Sequence, residues 1–308
     1  MDRCFAAALA SEPPAVTTLA AWRAATAAAR AVGATPIARA FLGGAAADRL
    51  GFAFAGGYAE ALRALVPGPP RPLLALCATE EGGAHPRAIR TALTADGDGH
   101  RLSGHKRWAT LSDVGGDLLV IATRGAGADG KPRLAAVAIP DDAPGVTLTA
   151  SAAPFVPEIP HATVALVDVA VAAAAVLPGD GYAAYLKPFR TVEDLHVHAA
   201  LCGYLVGVAR RHRLGDDAIE RGLALAAALA TLAAGDVMAP ATHRALAGAI
   251  ALAADAVAQL EAAWAAVGGD EWQRWQRDRP LLGVARAARQ ARLDRARSAG
   301  DPGASEQV

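Results

Sequence analysis

The sequence predicts an α+β protein in which a helical N-terminal segment precedes a central β-barrel and a C-terminal helical bundle. Apolar residues recur at helical spacing near both ends, and short apolar runs between Gly, Asp and Pro turns fill the middle. Hydrophobic residues make up 53% of the chain but aromatic residues only 5%, so alanine supplies most of the apolar content. Because alanine favours helix and lets helices approach closely, we expect helix-on-helix cores where it dominates.

The composition argues against several classes of function. The 308 residues are enough for two or three subdomains. The 30 Lys and Arg residues balance the 30 Asp and Glu residues, so no long-range field favours nucleic acid or anionic lipid. The cysteines, Cys4, Cys77 and Cys202, are odd in number and far apart, which predicts free thiols in a reducing compartment. We therefore expect a cytoplasmic protein with no nucleic-acid partner.

The sequence also predicts a soluble protein that is not exported. The N-terminal stretch MDRCFAAALASEPPAV has one basic residue and lacks the apolar core of a signal peptide. No uninterrupted apolar run reaches the roughly 18 residues of a membrane span, because polar residues such as Asp255 and Glu261 interrupt the alanine-rich stretches. Membrane insertion is therefore not expected.

Helical periodicity runs from Val16 to Val32 and from Ala45 to Leu65, and a proline-rich connector, Pro67 to Pro72, follows. From about Leu186 to Ser298, breaks near residues 214–217, 239–240 and 268–270 divide the chain into about four helices. The predicted domains are a short helical domain over 1–70, a β-barrel domain over 71–185, a helical bundle over 186–299 and a disordered tail over 300–308.

Two patterns resemble known sites without their required context. Gly125, Gly127 and Gly130 follow a strand in G-x-G-x-x-G spacing, but a dinucleotide loop needs a helix next, and here RLAAVAI predicts another strand. A hairpin loop is the favoured interpretation. His196 and His198 lie two residues apart, which places them on different faces of a helix and favours ordinary polar positions over a shared metal site.

Three further segments carry residues suited to binding a ligand. The first, ALCATEEGGAHPRAIRT from Ala75 to Thr91, runs from a strand through an acidic, glycine-containing loop into a second strand. Such loops expose backbone N–H groups and a threonine hydroxyl at a barrel rim. The second, HKRWATLSD from His105 to Asp113, would present a tryptophan beside that loop. The third, from Pro154 to Tyr182, leads from a strand into the final bundle.

In this order the segments resemble those of the acyl-CoA dehydrogenase family, which shares the helix–barrel–helix layout. In that family the loop reads roughly T-E-P-x-A-G-S-D, the next element K-x-W-[IV]-T-N and the bridge F-x-x-V-x-V-P-x-x-x-L-G-x-x-G. The matching residues here are Thr79-Glu80, Lys106-Arg107-Trp108-Ala109-Thr110, Val167-Asp168-Val169-Ala170-Val171 and Leu177-Pro178-Gly179-Asp180-Gly181. The resemblance extends from about Leu73 to Gly207 and is weak outside that span.

The resemblance implies an FAD site at the barrel rim. It implies that the Trp108 indole packs against the flavin ring, that Thr79 and Thr110 hydrogen-bond the ring's polar edge, and that Ala78 and Ala109 belong to the same contact set. It also implies an acyl-CoA or related acyl thioester as substrate, an electron-transfer flavoprotein or similar acceptor, and a homo-oligomer, since the family's flavin site is completed across subunits. From composition alone, the alternative is that Trp108 plugs the barrel end.

The family's chemistry needs a carboxylate base that removes the proton α to the thioester while the β hydrogen leaves as hydride. Most members carry this glutamate near the C-terminus in an E-G-T context after an R-D pair, but here Arg277-Asp278 is followed by RPLLGVARAARQAR. A minority place it in the first turn of the bundle's first helix, in an E-R-L-x-x-A-x-x-x-x-G setting that Glu193 fits. Leu195 and Gly203 are in register with it, and Ala199 lies one position beyond the alanine of the pattern. A surface glutamate at a helix start is the alternative.

Other departures from the family pattern keep further hypotheses open. The T-E loop is about one residue shorter, with Glu81 in the usual proline position and His85 near the serine that contacts the CoA arm. The R-x-x-F-G segment that contacts the partner subunit's FAD pyrophosphate is not recognisable in RRHRLGDDAIER. We predict an FAD-dependent acyl-CoA dehydrogenase-like oxidoreductase. A catalytically degenerate homologue acting as a subunit or acyl-thioester-binding partner is the alternative, and a flavin monooxygenase is a third hypothesis.

Overall fold

The computed structural model describes residues 1–10, 16–66, 74–112 and 114–299. The chain divides into two compact units, a helical unit of residues 1–64 and 191–308 and a barrel unit of residues 65–190. The N-terminal helical segment and the C-terminal bundle therefore belong to one unit, although the barrel separates them in sequence. The proposed connector from Pro67 to Pro72 and the tail from residue 300 lie outside the described residues.

The helices lie at both ends of the sequence, as predicted. They are α1 (Asp2–Ala10), α2 (Leu19–Val32), α3 (Pro36–Ala46), α4 (Leu50–Leu65), α5 (Lys187–Arg211), α6 (Asp216–Ala234), α7 (Pro240–Val267), α8 (Gly269–Asp278) and α9 (Arg286–Ser298). The three predicted breaks in the bundle are confirmed. The periodicity analysis missed α1 and α3, and it also missed a 3-10 turn at Arg279–Gly283 that contains Pro280 and separates α8 from α9.

Small residues let two helices of the helical unit touch through their backbones. A Cβ placed on Gly44 of α3 would lie 1.9 Å from the carbonyl oxygen of Ala200 of α5. A Cβ on Gly203 of α5 would lie 2.0 Å from the carbonyl oxygen of Phe41. Around this crossing, one apolar core joins α1, α3, α5, α6 and α7. The close helix packing expected from the alanine content is present, and at this crossing it depends on Gly44 and Gly203.

Helix α7 has an unusually apolar exposed surface. By length and composition this 28-residue helix could cross a membrane, and only 22% of its most apolar 18-residue window is buried. The sequence analysis did not single out this helix, because it required an uninterrupted apolar run. Isolated charged residues interrupt the run but leave the mean hydropathy of an 18-residue window high. One such helix is weak evidence for a membrane span, since core helices of soluble proteins meet the same test.

The barrel unit contains one curled seven-stranded sheet. Its strands are β1 (Leu74–Cys77), β2 (Ala92–Asp96), β3 (Gly99–Thr110), β4 (Asp117–Ala126), β5 (Pro132–Pro140), β6 (Val146–Ala150) and β7 (His161–Ala172). The strand order is β1-β4-β2-β3-β7-β6, with β5 paired to β4. The long antiparallel pair β3 and β7 forms the part of the sheet that ends beside the candidate site.

The ambiguous motifs have structural roles. Gly125 lies in the irregular end of β4, and Gly127 and Gly130 lie in the hairpin connection to the antiparallel strand β5, so a strand follows rather than a helix. The hairpin interpretation is therefore confirmed. The three cysteines are buried free thiols, and burial raises the pKa of Cys77 and of Cys202 to about 12. Such thiols are inert at neutral pH.

The two close histidines are buried in α5. The Nδ1 atom of His196 lies 2.7 Å from the carbonyl oxygen of Val192, and that of His198 lies 2.7 Å from the carbonyl oxygen of Asp194. Burial lowers the pKa of His196 to about 4 and lowers that of His198, so both rings are neutral at pH 7. Within the described ranges, no group of three or more His, Cys, Asp or Glu side chains could hold a metal ion.

Candidate functional site

The end of β1 and the end of β3 meet at one rim of the barrel unit. The backbone N–H of Arg107 donates a 3.0 Å hydrogen bond to the carbonyl oxygen of Thr79. This bond places the T-E loop directly beside the K-x-W segment, as the sequence analysis predicted. Thr79, Trp108 and Thr110 therefore come from two adjacent segments of one rim.

A β-bulge turns Trp108 outward. Between Lys106, which pairs with Val164, and Ala109, which pairs with Ala162, β3 has one residue more than β7. Trp108 lies inside this bulge with φ 65°, a left-handed conformation that costs a non-glycine residue about 1–2 kcal/mol. Its side chain is 51% exposed, and the guanidinium carbon of Arg107 lies 5.5 Å from the indole centre. The indole therefore does not plug the barrel.

The neighbouring threonines have unused hydrogen-bonding capacity. Thr79 and Thr110 are half-buried, and neither hydroxyl hydrogen-bonds to another of the described residues. Ala78 and Ala109, their neighbours in sequence, are buried, and Ala109 belongs to the apolar core of the barrel unit. The rim thus offers one aromatic face and two hydroxyl groups that no other described residue hydrogen-bonds. The assignment of these five residues to a flavin stays a prediction.

A buried ion pair fixes this rim from beneath. Lys106 Nζ donates to Glu80 Oε1 at 2.6 Å and to the carbonyl oxygen of Ile121 at 2.6 Å, and its side chain is fully buried. Glu80 also accepts hydrogen bonds from the Arg90 N–H at 2.8 Å and from the Thr91 N–H and hydroxyl at 3.0 and 2.8 Å. One carboxylate thus ties the T-E loop to β3 and to the segment before β2.

The electrostatics of Glu80 favour the ionised form. Burial alone would raise its pKa, but the hydrogen bonds from Lys106 and Thr91 outweigh burial and lower the pKa below the ordinary value of 4.5. Sequence reasoning placed Glu80 and Lys106 in the matching motifs but did not predict their contact. The sequence signal for this contact was the lysine two residues before the tryptophan, together with the glutamate directly after the threonine.

His85 lies at the edge of two open clefts of the barrel unit. Its Nδ1 atom accepts a 3.2 Å hydrogen bond from the Arg87 N–H, which leaves Nε2 as the protonated, donating nitrogen. One cleft, of about 590 Å³, is also lined by Arg87, Lys131 and Arg133. The other, of about 640 Å³, is also lined by Glu81, Gly82, Arg90 and His105. The three cationic side chains of the first cleft outnumber the carboxylates of Asp129 and Asp180, which also line it, and this balance suits an anionic group.

Glu193 belongs to α5 of the helical unit and is partly buried. It was expected in the first turn, but α5 begins at Lys187, so Glu193 lies in the second turn. The helix begins earlier because a π-helical turn at Gly181–Leu186 runs directly into it. The alternative interpretation of Glu193 was a surface glutamate stabilised by the dipole at a helix start. That interpretation loses its main support, because the helix dipole acts on the first turn and Glu193 is partly buried in the second.

The position after Arg277-Asp278 has no carboxylate. Asp278 is fully buried and pairs with Arg277 at 2.7 Å. Among the described residues beyond it, the first acidic side chain is Asp294, which is exposed in α9. The base found in most members of the resembled family is therefore missing from this stretch.

No protein-family model matches the chain, and no curated protein matches it. Solved structures do. PigA, solved with FAD and proline, matches with a TM-score of 0.70 at 12% identity, over 96% of this chain and 95% of its own. Glutaryl-CoA dehydrogenase from Mycobacterium smegmatis matches with a TM-score of 0.66 at 14% identity, over 97% of this chain and 93% of its own. FkbI, for biosynthesis of the methoxymalonyl extender unit of the Fk520 polyketide immunosuppressant, matches with a TM-score of 0.62 at 22% identity, over 88% of this chain and 85% of its own.

These likenesses define an α+β protein of the helix–barrel–helix class. More specifically, the chain has the fold of the acyl-CoA dehydrogenases, which confirms the fold class and, at the level of the fold, the resemblance inferred from the motifs. At identities of 12% to 22%, the likeness shows the fold alone.

Proposed function

We propose that this chain is an FAD-dependent oxidoreductase that removes two hydrogens from the α and β carbons of an acyl thioester. The observation that carries the proposal is the rim of the barrel unit, where a bulge exposes the Trp108 indole near two threonine hydroxyls that no other described residue hydrogen-bonds. A flat aromatic face with a few placed polar groups is how proteins hold a flavin. The fold supports this assignment, since PigA was solved with FAD on the same architecture.

In this proposal the residues of the rim bind and orient the cofactor. Trp108 packs on the ring, and the hydroxyls of Thr79 and Thr110 hydrogen-bond its polar edge. When bound, FAD supplies a two-electron acceptor for hydride. The Lys106–Glu80 pair positions both segments, and Ala78 and Ala109 are the buried apolar residues next to the two threonines in sequence.

The proposal assigns substrate chemistry to two further residues. Glu193 removes the α proton, and His85, whose Nε2–H is available as a donor, binds the polar arm of an acyl-CoA or similar thioester. An electron-transfer flavoprotein or similar acceptor would reoxidise the cofactor; an electron-transferring flavoprotein of Acidaminococcus fermentans is among the proteins of similar structure. We also propose a cytoplasmic location and a homo-oligomer.

The absorption spectrum of the purified protein tests the proposal. We expect flavin bands, either directly or after reconstitution with FAD, and bleaching of those bands when an acyl-CoA is added without oxygen. A colourless protein that does not take up FAD would contradict the proposal.

The variant Glu193→Gln tests the base. It keeps the size of the side chain but removes its basicity, so turnover should fall by at least about 10²-fold while bound flavin is unchanged. The matched control is Glu220→Gln, which changes an exposed glutamate of α6 and should leave turnover unaltered. Equal turnover in the two variants would exclude Glu193.

A second candidate function has its own observation. Because residues 279–293 carry no carboxylate, the second candidate is a degenerate homologue that serves as a subunit or acyl-thioester-binding partner. It would then co-purify with an active dehydrogenase whose activity falls when this chain is removed. A flavin-loaded chain that turns over acyl thioester in isolation would rule out this candidate.

A further inference from the structure

A groove in the helical unit has two chemically different walls. It has a volume of about 610 Å³ and lies between α7 on one side and the Arg279–Gly283 turn with α9 on the other. The α7 wall is apolar, and its residues recur at helical spacing: Ala247, Ile250, Ala251, Ala254 and Val257. The facing wall carries four arginines: Arg279, Arg286, Arg289 and Arg292.

The charges of the groove do not balance. Arg289 and Arg292 share the single buried carboxylate of Asp194, at 2.8 and 2.6 Å. Arg279 pairs with Glu261 at 3.0 Å. Arg286 is exposed and forms no ion pair with any of the described residues. Four guanidinium groups therefore face two carboxylates, which leaves the groove suited to an anion.

A histidine at one end of the groove adds no charge at neutral pH. Burial, followed by the nearby Arg292, lowers the pKa of His243 below its ordinary value, so its ring is neutral. Its Nε2 atom lies 3.0 Å from the carbonyl oxygen of Val237 and 3.4 Å from the Thr191 hydroxyl. The excess positive charge therefore lies on the arginine side chains.

The size of the groove decides what kind of ligand fits. Small-molecule sites have volumes of about 300–1,000 Å³, which includes this one. A thin hydrocarbon chain lying along α7 matches the apolar wall.

We infer that this groove binds an anionic amphiphile with one unbranched hydrocarbon chain and a carboxylate head. The chain lies along the apolar wall from Ala247 to Val257, and Arg286 binds the carboxylate, since a guanidinium group can donate two parallel hydrogen bonds to it. This site involves only residues of the helical unit, and it does not depend on the proposed redox function.

Calorimetric titration of the full chain with dodecanoate, below its micelle concentration, tests the inference. We expect one site per chain, no binding of dodecyltrimethylammonium and much weaker binding of butyrate. Arg286→Glu should weaken dodecanoate binding at least about tenfold, since it replaces the partner charge with a repulsive one. Arg297→Glu is the matched control, because Arg297 lies exposed on the same helix but does not line the groove.

A second pair of variants tests the apolar wall without changing charge. Ala254→Phe should block the groove, whereas Ala263→Phe, at an exposed position on the opposite side of α7, should not. Absence of dodecanoate binding, equal binding of the cationic amphiphile, or equal loss in both members of either pair would overturn the inference. The titration should give the same result with flavin-free protein, so its failure is distinguishable from failure of the proposed function.

Discussion

Trp108 has a strained backbone conformation, and its contacts within the protein do not offset the cost of that strain. A left-handed tryptophan costs about 1–2 kcal/mol, and burial of the indole would normally offset such a cost. Here half of the side chain remains exposed, and its close ring contact is the guanidinium group of Arg107. Strained residues of this kind cluster at functional sites, because the surrounding sheet can hold them in a geometry that serves a ligand.

We therefore expect Trp108→Ala to weaken FAD binding by about tenfold, equivalent to about 1.4 kcal/mol for the lost aromatic contact. Titration of the flavin-free protein with FAD, followed by flavin fluorescence, measures this. The free energy of unfolding should change by less than about 1 kcal/mol, because the indole is half exposed. Trp108→Phe keeps an aromatic face and should recover most of the affinity. A large loss of stability with unchanged FAD affinity would make Trp108 a packing residue.

Lys106 and Glu80 form a pair whose members depend on each other. Lys106→Met would leave the Glu80 carboxylate buried without its cation, so we expect a loss of about 3–5 kcal/mol in the free energy of unfolding. Urea denaturation measures this loss. Lys131→Met is the control, because its ion pair with Asp129 is exposed and long at 3.5 Å, and it should change stability by less than about 1 kcal/mol. A small effect of Lys106→Met would mean that the pair does not hold the rim.

The same pair should contribute to the pH dependence of stability. The folded-state pKa of Glu80 lies below its ordinary value of 4.5, so its contribution is complete above pH 4.5 and is lost as pH falls through the folded-state value. The difference in stability between the wild type and Glu80→Gln should therefore be largest near pH 7 and shrink below pH 4.5. A difference that stays constant from pH 7 to pH 3 would contradict this.

At the scale of elements, the crossing of α3 and α5 depends on glycine. Gly203→Ala would place a methyl group 2.0 Å from the Phe41 carbonyl oxygen, and a backbone atom cannot move aside cheaply. We expect a loss of about 1–3 kcal/mol or more in thermal or urea unfolding. Gly248→Ala in α7 is the matched control, because nothing lies within 4 Å of the added Cβ. It should raise the free energy of unfolding by about 0.5–1 kcal/mol. If both variants changed the free energy of unfolding in the same direction, the close backbone contact between α3 and α5 would be contradicted.

The sequence predicted these elements unevenly, for physical reasons. The sequence pattern found α2, α4 and the strands, because each is an apolar stretch bounded by Gly, Asp or Pro whose period repeats within a short window. It missed α1, which is nine residues long and has only two buried positions, Cys4 and Ala8. Glu80 and Lys106 were placed by their motifs, but their contact joins residues 26 apart, and no local period encodes such a distance. The bulge at Trp108 was likewise invisible, since one extra residue in a strand leaves its composition unchanged.

At the scale of the whole molecule, the grouping of the helices could not be predicted either. The N-terminal helices and the final bundle belong to one unit, although more than a hundred residues of barrel separate them. Their shared core depends on small residues in α3 and α5, and alanine-rich helices offer many equivalent faces for such packing. The order of helices, strands and helices along the chain was predicted, because it requires only that helical and strand-like hydrophobic patterns be recognised in sequence.

The exposed surface of α7 leads to the last prediction. Most of its apolar window is uncovered, and Leu252 is 60% exposed. Apolar surface of this extent marks an interaction site, and the overall charge balance gives no repulsion between two copies. We therefore expect a homo-oligomer that buries the part of α7 around Leu252, with a mass of at least two chains by light scattering after gel filtration without detergent. Leu252→Arg should shift the population to monomer, whereas Leu9→Arg, at a 42% exposed leucine of α1, should not. A wild-type monomer would contradict the prediction, and a chain that stays dispersed only in detergent would assign the α7 surface to a membrane instead.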